Sequence, residues 1–291
     1  MMRSLVVATD FSARSHRALR RAVLLAQTTG ATMTLLHVVD DDQPAQLVEI
    51  TRAASAELLD EQARALREAD GVACTPEIAL GEPFEAIAAT AARTGAGLVV
   101  IGQHRREILR DMFVGTTAER TIRATALPVL MVQSAPAGPY RGILAATDLS
   151  DSAARALAAA GDLGLAAGAV VAALYIYASG SALARAGLTD EAVRAAERQE
   201  AVQAAAELDR FLAGHPLAPA DRTVRPDHAG IAGEICATAT RLGADLLVLG
   251  TRRHWGLTSL LLGSVSGEVL RLAPCDVLAV PPPREALSPP P

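Results

Sequence analysis

The chain contains itself twice. "LVVATDFSARSHRAL" (Leu5–Leu19) returns as "ILAATDLSDSAARAL" (Ile143–Leu157), and "IAATAARTGAGLVVIG" (Ile87–Gly102) returns as "ICATATRLGADLLVLG" (Ile235–Gly250). "LPVLMV" (Leu127–Val132) has its counterpart in "CDVLAV" (Cys275–Val280). A period this long makes each copy a whole domain rather than one unit of a solenoid. About ten extra residues enter the middle of copy two. They are expected to lengthen its second helix, "LTDEAVRAAERQEAVQAAAELDRFL" (Leu188–Leu212). The expected domains are residues 1–134 and 141–281. Residues 135–140, within the Pro- and Gly-rich "QSAPAGPYRG" (Gln133–Gly142), form the linker. The tail 282–291, in "PPPREALSPPP", is expected to be disordered.

Each copy alternates strand and helix. In copy one "SLVVAT", "ATMTLLHVV", "VACTPEIA", "AGLVVIG" and "LPVLMV" read as strands. Between them lie four helical stretches. The first has Ser12 as its N-cap and Gly30 as its stop, the second ends at Gly71, the third carries Pro83 in its first turn, and the fourth is "TTAERTIRATA". Such alternation implies βαβ units, a parallel sheet and helices on both faces. The composition agrees. Of the 291 residues 51% are hydrophobic but only 3% aromatic, so the cores must be built from Ala, Val, Leu and Ile, as in doubly covered parallel sheets.

Several function classes are set aside by composition. A net charge of −5 argues against a nucleic-acid surface, which needs a basic excess. The longest apolar run, Leu163–Ala178, is short of a membrane span and is broken by Gly164 and Gly168. It reads instead as a helix end, a turn and a buried strand. The N-terminus is too short in apolar residues for a signal peptide. Cys74, Cys236 and Cys275 are odd in number and widely spaced, which points to free thiols in a reducing cytoplasm. No membrane or nucleic-acid partner is expected, and the expected location is cytoplasmic. The sequence has no GxxxxGK[ST], no GxGxxG after the first strand, no GxSxG and no HExxH. No nucleophile is paired with a base, so no catalytic residue and no metal ligand is assigned. Efficient catalysis is therefore not expected.

Open α/β sheets take ligands at the carboxyl ends of their strands. The polar residues and glycines of this chain collect there. Thr9 and Asp10 close the first strand, as Thr147 and Asp148 do in copy two. Gly102 and Gly250 close the fourth strands. Gly115, Thr116 and Thr117 open the fourth helix of copy one, and Gly263, Ser264, Val265 and Ser266 that of copy two. A helix start offers free N–H groups and a partial positive charge, which suit a phosphate. Two roles are open for these hydroxyls, helix cap and phosphate ligand. Two are likewise open for Asp10 and Asp148, a local one that caps the next helix or binds a turn, and acceptor for a ligand amino group.

The ordered series "VVATDFSARSHRAL", "LLHVVD", "GEPFEAI", "GLVVIG" and "GTTAER...LPVLMV", with its second-copy counterparts, resembles the universal stress protein family over residues 3–133 and 141–281. The resemblance implies an α/β fold of two tandem, doubly wound, five-stranded parallel-sheet domains with strand order 3-2-1-4-5, adenine-nucleotide alpha-hydrolase-like. It also implies a role in stress response or signalling through nucleotide-dependent interaction with a protein partner. One branch of the family binds ATP through a glycine, two residues, a second glycine, nine residues and Gly-Ser or Gly-Thr. Here Gly102 and Gly115-Thr116, and Gly250 and Gly263-Ser264, keep that spacing. Arg105 and Arg253 stand at the second glycine. A guanidinium there either crowds the phosphates or pairs with them. By position, Asp10 and Asp148 would meet adenine, Val38 and Ile176 would present backbone to the base, and Ile101 and Leu249 would line the ribose path. The implied cofactor is ATP, with Mg²⁺ carried on its phosphates. The other branch of the family binds no nucleotide and would make this chain an interaction scaffold with relic sites. Fifth strands often meet across a dyad in this family. "PVLMV" (Pro128–Val132) and "DVLAV" (Asp276–Val280) are therefore expected to pair within the chain as a pseudo-dimer, and a homodimer is a further option.

Overall fold

The computed structural model describes residues 2–103, 116–178, 190–215, 217, 219–227, 230–251 and 262–283. Copy one runs β1 (Ser4–Thr9), α1 (Ala13–Thr29), β2 (Thr32–Val39), α2 (Ala45–Ala69), β3 (Cys74–Leu80), α3 (Pro83–Arg93), β4 (Leu98–Gly102), α4 (Thr117–Ala124) and β5 (Val129–Val132). Copy two runs β6 (Gly142–Thr147), α5 (Asp151–Asp162), β7 (Val170–Tyr177), α6 (Asp190–Leu212), β8 (Asp221–Pro226), α7 (Ile231–Leu242), β9 (Leu246–Gly250), α8 (Ser264–Leu272) and β10 (Asp276–Val280). The caps read from sequence are in place. The Ser12 hydroxyl accepts from the Ser15 amide, Gly30 is left-handed at φ 71°, and Pro83 sits in the first turn of α3.

All the strands join one ten-stranded sheet in the order β3-β2-β1-β4-β5-β10-β9-β6-β7-β8. Each half has the 3-2-1-4-5 order that the resemblance implied. Every neighbouring pair is parallel except β5 and β10, which run antiparallel with Leu130 opposite Leu278. The pseudo-dimer expected from the two fifth strands is thus built into one chain. The central strands are aliphatic on both sides, and alternate residues enter opposite layers. Leu5 and Val7 pack with α1 and α2, whereas Val6 packs with α3 and α4. Both layers run unbroken through the junction and include residues of both copies. Each buried Val or Leu contributes about 1.5–3 kcal/mol.

The extra residues of copy two do not lengthen its second helix. α6 has 23 residues and α2 has 25. The added residues therefore lie outside that helix, since β7 and α6, and α6 and β8, stand further apart in sequence than β2 and α2, and α2 and β3. A helix that covers a sheet face is limited by strand length. A connection grows at small entropic cost.

The junction carries a buried polar cluster. Asp276, 1% exposed at the start of β10, accepts from Arg21 Nε at 3.2 Å, from the Tyr140 hydroxyl at 2.8 Å and from the Gln133 amide at 2.9 Å. Arg21 also donates to the Gly138 carbonyl at 2.7 Å and lies over the Tyr140 ring. The chain between β5 and β6 is therefore held by groups from both copies. Burial and the Asp276 charge keep the Tyr140 phenol well above its ordinary pKa, so it remains a donor. A second tie crosses from Arg271 of α8 to the Glu119 carboxylate of α4 at 3.0 Å.

Candidate functional site

Each copy has a cleft at the carboxyl end of its sheet, where β1 and β4, or β6 and β9, diverge. The copy-two cleft encloses about 330 Å³ and is lined by Thr147, Asp148, Ile176, Leu249, Gly250, Gly263, Ser264, Val265 and Ser266. The copy-one cleft encloses about 220 Å³ and is lined by Thr9, Asp10, Val38, Ile101, Gly102 and Thr117. The residues picked from sequence thus converge in two equivalent places. Thr116 is adjacent but does not line the cleft. Arg105, Gly115 and Arg253 lie outside the described residues.

The β1–α1 turn positions the carboxylate. Phe11 and, at the same place in copy two, Leu149 take left-handed backbone at φ 58° and 61°. A non-glycine residue in that region is strained. The Thr9 and Thr147 hydroxyls accept from the Phe11 and Leu149 amides at 3.1 and 2.9 Å and hold the turn. Asp10 Oδ1 then accepts from the Ser12 amide at 3.0 Å, and Asp148 Oδ1 from the Ser150 amide at 3.1 Å. Burial raises the Asp10 carboxyl. Hydrogen bonds with Ser12 and Ser15 outweigh it and leave the pKa below its ordinary value of 3.8. The Asp10 carboxylate therefore faces its cleft ionised, and in both copies part of the carboxylate's acceptor capacity is committed to the turn. His37, next to Val38, is a packed strand residue, with Nδ1 2.8 Å from the Thr9 carbonyl and its ring against Phe11.

Gly102 and Gly250 have a packing role in addition to their place in the lining. A Cβ at Gly250 would fall 2.4 Å from the Ser152 backbone, and one at Gly102 would fall 2.8 Å from the Arg14 carbonyl. Bare backbone at the end of the fourth strand lets the start of the first helix of the same copy, α1 or α5, pass close by.

The two helix starts differ. In copy one, Thr116 forms a capping box: its hydroxyl accepts from the Glu119 amide at 3.3 Å, and the Glu119 carboxylate accepts from the Thr116 amide at 3.2 Å. The capping role left open for Thr116 is realised. In copy two, Gly263 stands at the cap with no side chain to close the turn, and Gly267 occupies the position of Glu119. The Ser266 hydroxyl leans toward the Gly250 carbonyl at 3.5 Å. The copy-two helix start is the more open donor set.

Sequence reasoning missed the apolar floor. Ile87 and Ile235 occupy matching positions in the two clefts, joined by Leu36 in copy one and Leu174 in copy two. The repeat alone could have found Ile87 and Ile235, because they open the matched strings and stand on the inner face of the third helix of each copy. Arg14 lines only the copy-one cleft, where copy two has Ser152.

Comparison with known proteins gives a consistent result. The model of the universal stress protein family matches residues 1–133 and again 139–281. A universal stress protein from Synechocystis is 45% identical over 49 residues, a match that spans 17% of this chain and only 45% of that protein. A universal stress protein from Archaeoglobus fulgidus superposes with a TM-score of 0.68 at 18% identity, covering 96% of this chain and 98% of the other. A protein of unknown function from Pseudomonas aeruginosa also gives 0.68, at 24% identity over 97% and 93% of the two chains. At these identities the superpositions establish the fold. Both halves of the sequence match the family's own model, and the chain belongs to the universal stress protein family as a tandem, two-domain member.

Proposed function

We propose that this protein binds an adenine nucleotide, ATP with Mg²⁺ on its phosphates, in one or both clefts. On this reading it acts in the cytoplasm, in stress response or signalling, through nucleotide-dependent contact with a protein partner. The observation that carries the reading is the copy-two cleft. It brings the Asp148 side chain at one strand end, an aliphatic floor and an uncapped helix start into one space of about 330 Å³. That volume suits a small-molecule ligand. Asp148 would accept from the exocyclic amine of the base, and the Ile176 backbone would bracket the base edge. Ile231, Ile235 and Leu249 would cover the ring and ribose. The amides of Ser264, Val265 and Ser266 would face the phosphates. In copy one Asp10, Val38, Ile101, Gly102 and Thr117 would act alike in a smaller space. Arg105 and Arg253 would meet the phosphates as charge-assisted donors. Among the described residues no side chain at either cleft is set up to activate a nucleophile, which supports binding with at most slow ATP hydrolysis.

One observation favours the scaffold reading instead. Asp10 and Asp148 are both engaged by their own turns, and the single sheet is complete without a ligand. The test is to denature freshly purified protein, identify released nucleotides by mass spectrometry, and titrate the stripped protein with ATP. Nucleotide binding predicts one or two ATP per chain, with Gly263→Ala weakening the copy-two site. No release and no binding up to millimolar ATP would leave the scaffold.

A further inference from the structure

A third cleft lies away from both strand-end sites, between α1 and the chain that links the two copies. It encloses about 280 Å³ and is lined by His16, Arg17, Arg20, Leu24 and residues 135–138. No acidic residue is among its described lining, and Arg20 is paired with Asp70 outside it. This concentration of positive charge occurs in a chain whose net charge is −5. The arrangement belongs to copy one alone. In the repeat, His16 and Arg20 align with Ala154 and Ala158, and Arg17 aligns with Arg155. The basic set is thus present on the α1 face that meets the linker and largely absent from its counterpart.

Both walls are held in place before any ligand arrives. The linker wall is fixed by Arg21, which donates to the Gly138 carbonyl and reaches the buried Asp276. On the helix wall, Arg20 Nη1 donates to both Asp70 oxygens at 3.0 and 2.9 Å, which fixes its guanidinium and leaves other donors uncommitted. Arg17 forms no ion pair with any described carboxylate, and its Nε is sealed from solvent without an acceptor. Preorganised donors bind an anion with less ordering cost than mobile surface side chains. Leu24, Pro136 and Ala137 add an apolar flank beside the charges.

We infer that this cleft is an anion site for a small phosphorylated molecule. Its phosphate would be taken by Arg17 and Arg20, with His16 at the rim, and the rest of the molecule would lie against Leu24 and Pro136. A phosphate dianion presents several strong acceptors to planar guanidinium donors. Because the linker forms one wall, an occupant would also cross-brace α1 to the junction of the two copies.

The test uses the full chain, labelled with ¹⁵N and stripped of nucleotide, titrated with inorganic pyrophosphate. Saturable shifts of the Arg17 Nε–H and of the Ala137 and Gly138 amides are expected. Arg17→Gln should weaken that response by about ten- to hundredfold, the scale of one charge-assisted contact. Arg20→Gln should weaken it as well, and provides a second variant should the first alter the fold. Shifts confined to residues 264–266 would assign the anion to the strand-end cleft and overturn the proposal. So would shifts at Ala137 and Gly138 that never saturate, or a response unchanged in both variants.

Discussion

Asp10 shows how far a single residue can be read. Its place at the end of β1 follows from the alternation of the chain, and its repetition as Asp148 marks it as part of the inherited plan. Its binding to the Ser12 amide is the turn-binding role that the sequence left open, whereas the left-handed turn at Phe11 behind it was not legible. Strained backbone in a non-glycine residue leaves no compositional trace, because the surrounding hydrogen bonds create it. The consequence is measurable. The folded Asp10 pKa lies below 3.8, so its ionised form stabilises the fold. That contribution is complete above the unfolded value and fades as pH falls through the lower folded value. Asp10→Asn should therefore be less stable than the parent at neutral pH, with the gap closing below pH 3.8. Urea unfolding of both proteins across pH 2.5 to 7 (roughly the span of carboxylate titration) checks this. A gap independent of pH would mean that the carboxylate charge contributes nothing.

Among the elements, the strands were the most legible, because short aliphatic runs bounded by Gly, Asp or Pro have few alternatives. Helix α6 was the least. Its Ala- and Glu-rich sequence supports a helix of almost any length, so periodicity could not show where the added residues of copy two belong. Packing against β7 and β8 decides it. The fourth strands of the two copies illustrate a different limit. Gly102 and Gly250 read as ligand-facing glycines, yet each also lets a neighbouring helix start approach the strand. Gly250→Ala should destabilise copy two by about 1–3 kcal/mol, the usual cost of forcing atoms into a packed contact. The loss should appear in denaturant unfolding whether or not ATP is present. Unchanged stability would show that the Ser152 backbone gives way readily.

The whole molecule rests on the pairing of β5 with β10. The outer strands are poor partners: β3 carries Pro76, and β8 carries Asp221, Arg222, Arg225 and Pro226. Prolines and charges keep such edges from pairing. β5 and β10 are wholly buried and aliphatic apart from Asp276, whose carboxylate is taken up by Arg21, Tyr140 and the linker amides. This pairing was legible once the fifth strands were recognised as a matched pair. The Asp276 cluster was not, since it joins residues from α1, the linker and β10 that no periodicity connects. Val129→Asp would place an unpaired charge opposite Ala279 in the junction. It should cost several kcal/mol. Limited proteolysis between Val132 and Gly142 should run faster in the variant than in the parent. Unaltered protection and stability would mean that the halves hold together by other contacts.

The antiparallel junction also sets valency. Corresponding helices of the two copies lie on the same face of the sheet, while the strands of one half run opposite to those of the other. The two strand-end clefts consequently open toward opposite ends of the slab. On the proposed reading, a partner docking at one cleft would leave the other exposed, and one chain would join two partners from opposite ends. Such a bridge would need no flexible tether, and its avidity would depend on whether the partners' spacing fits the separation of the clefts.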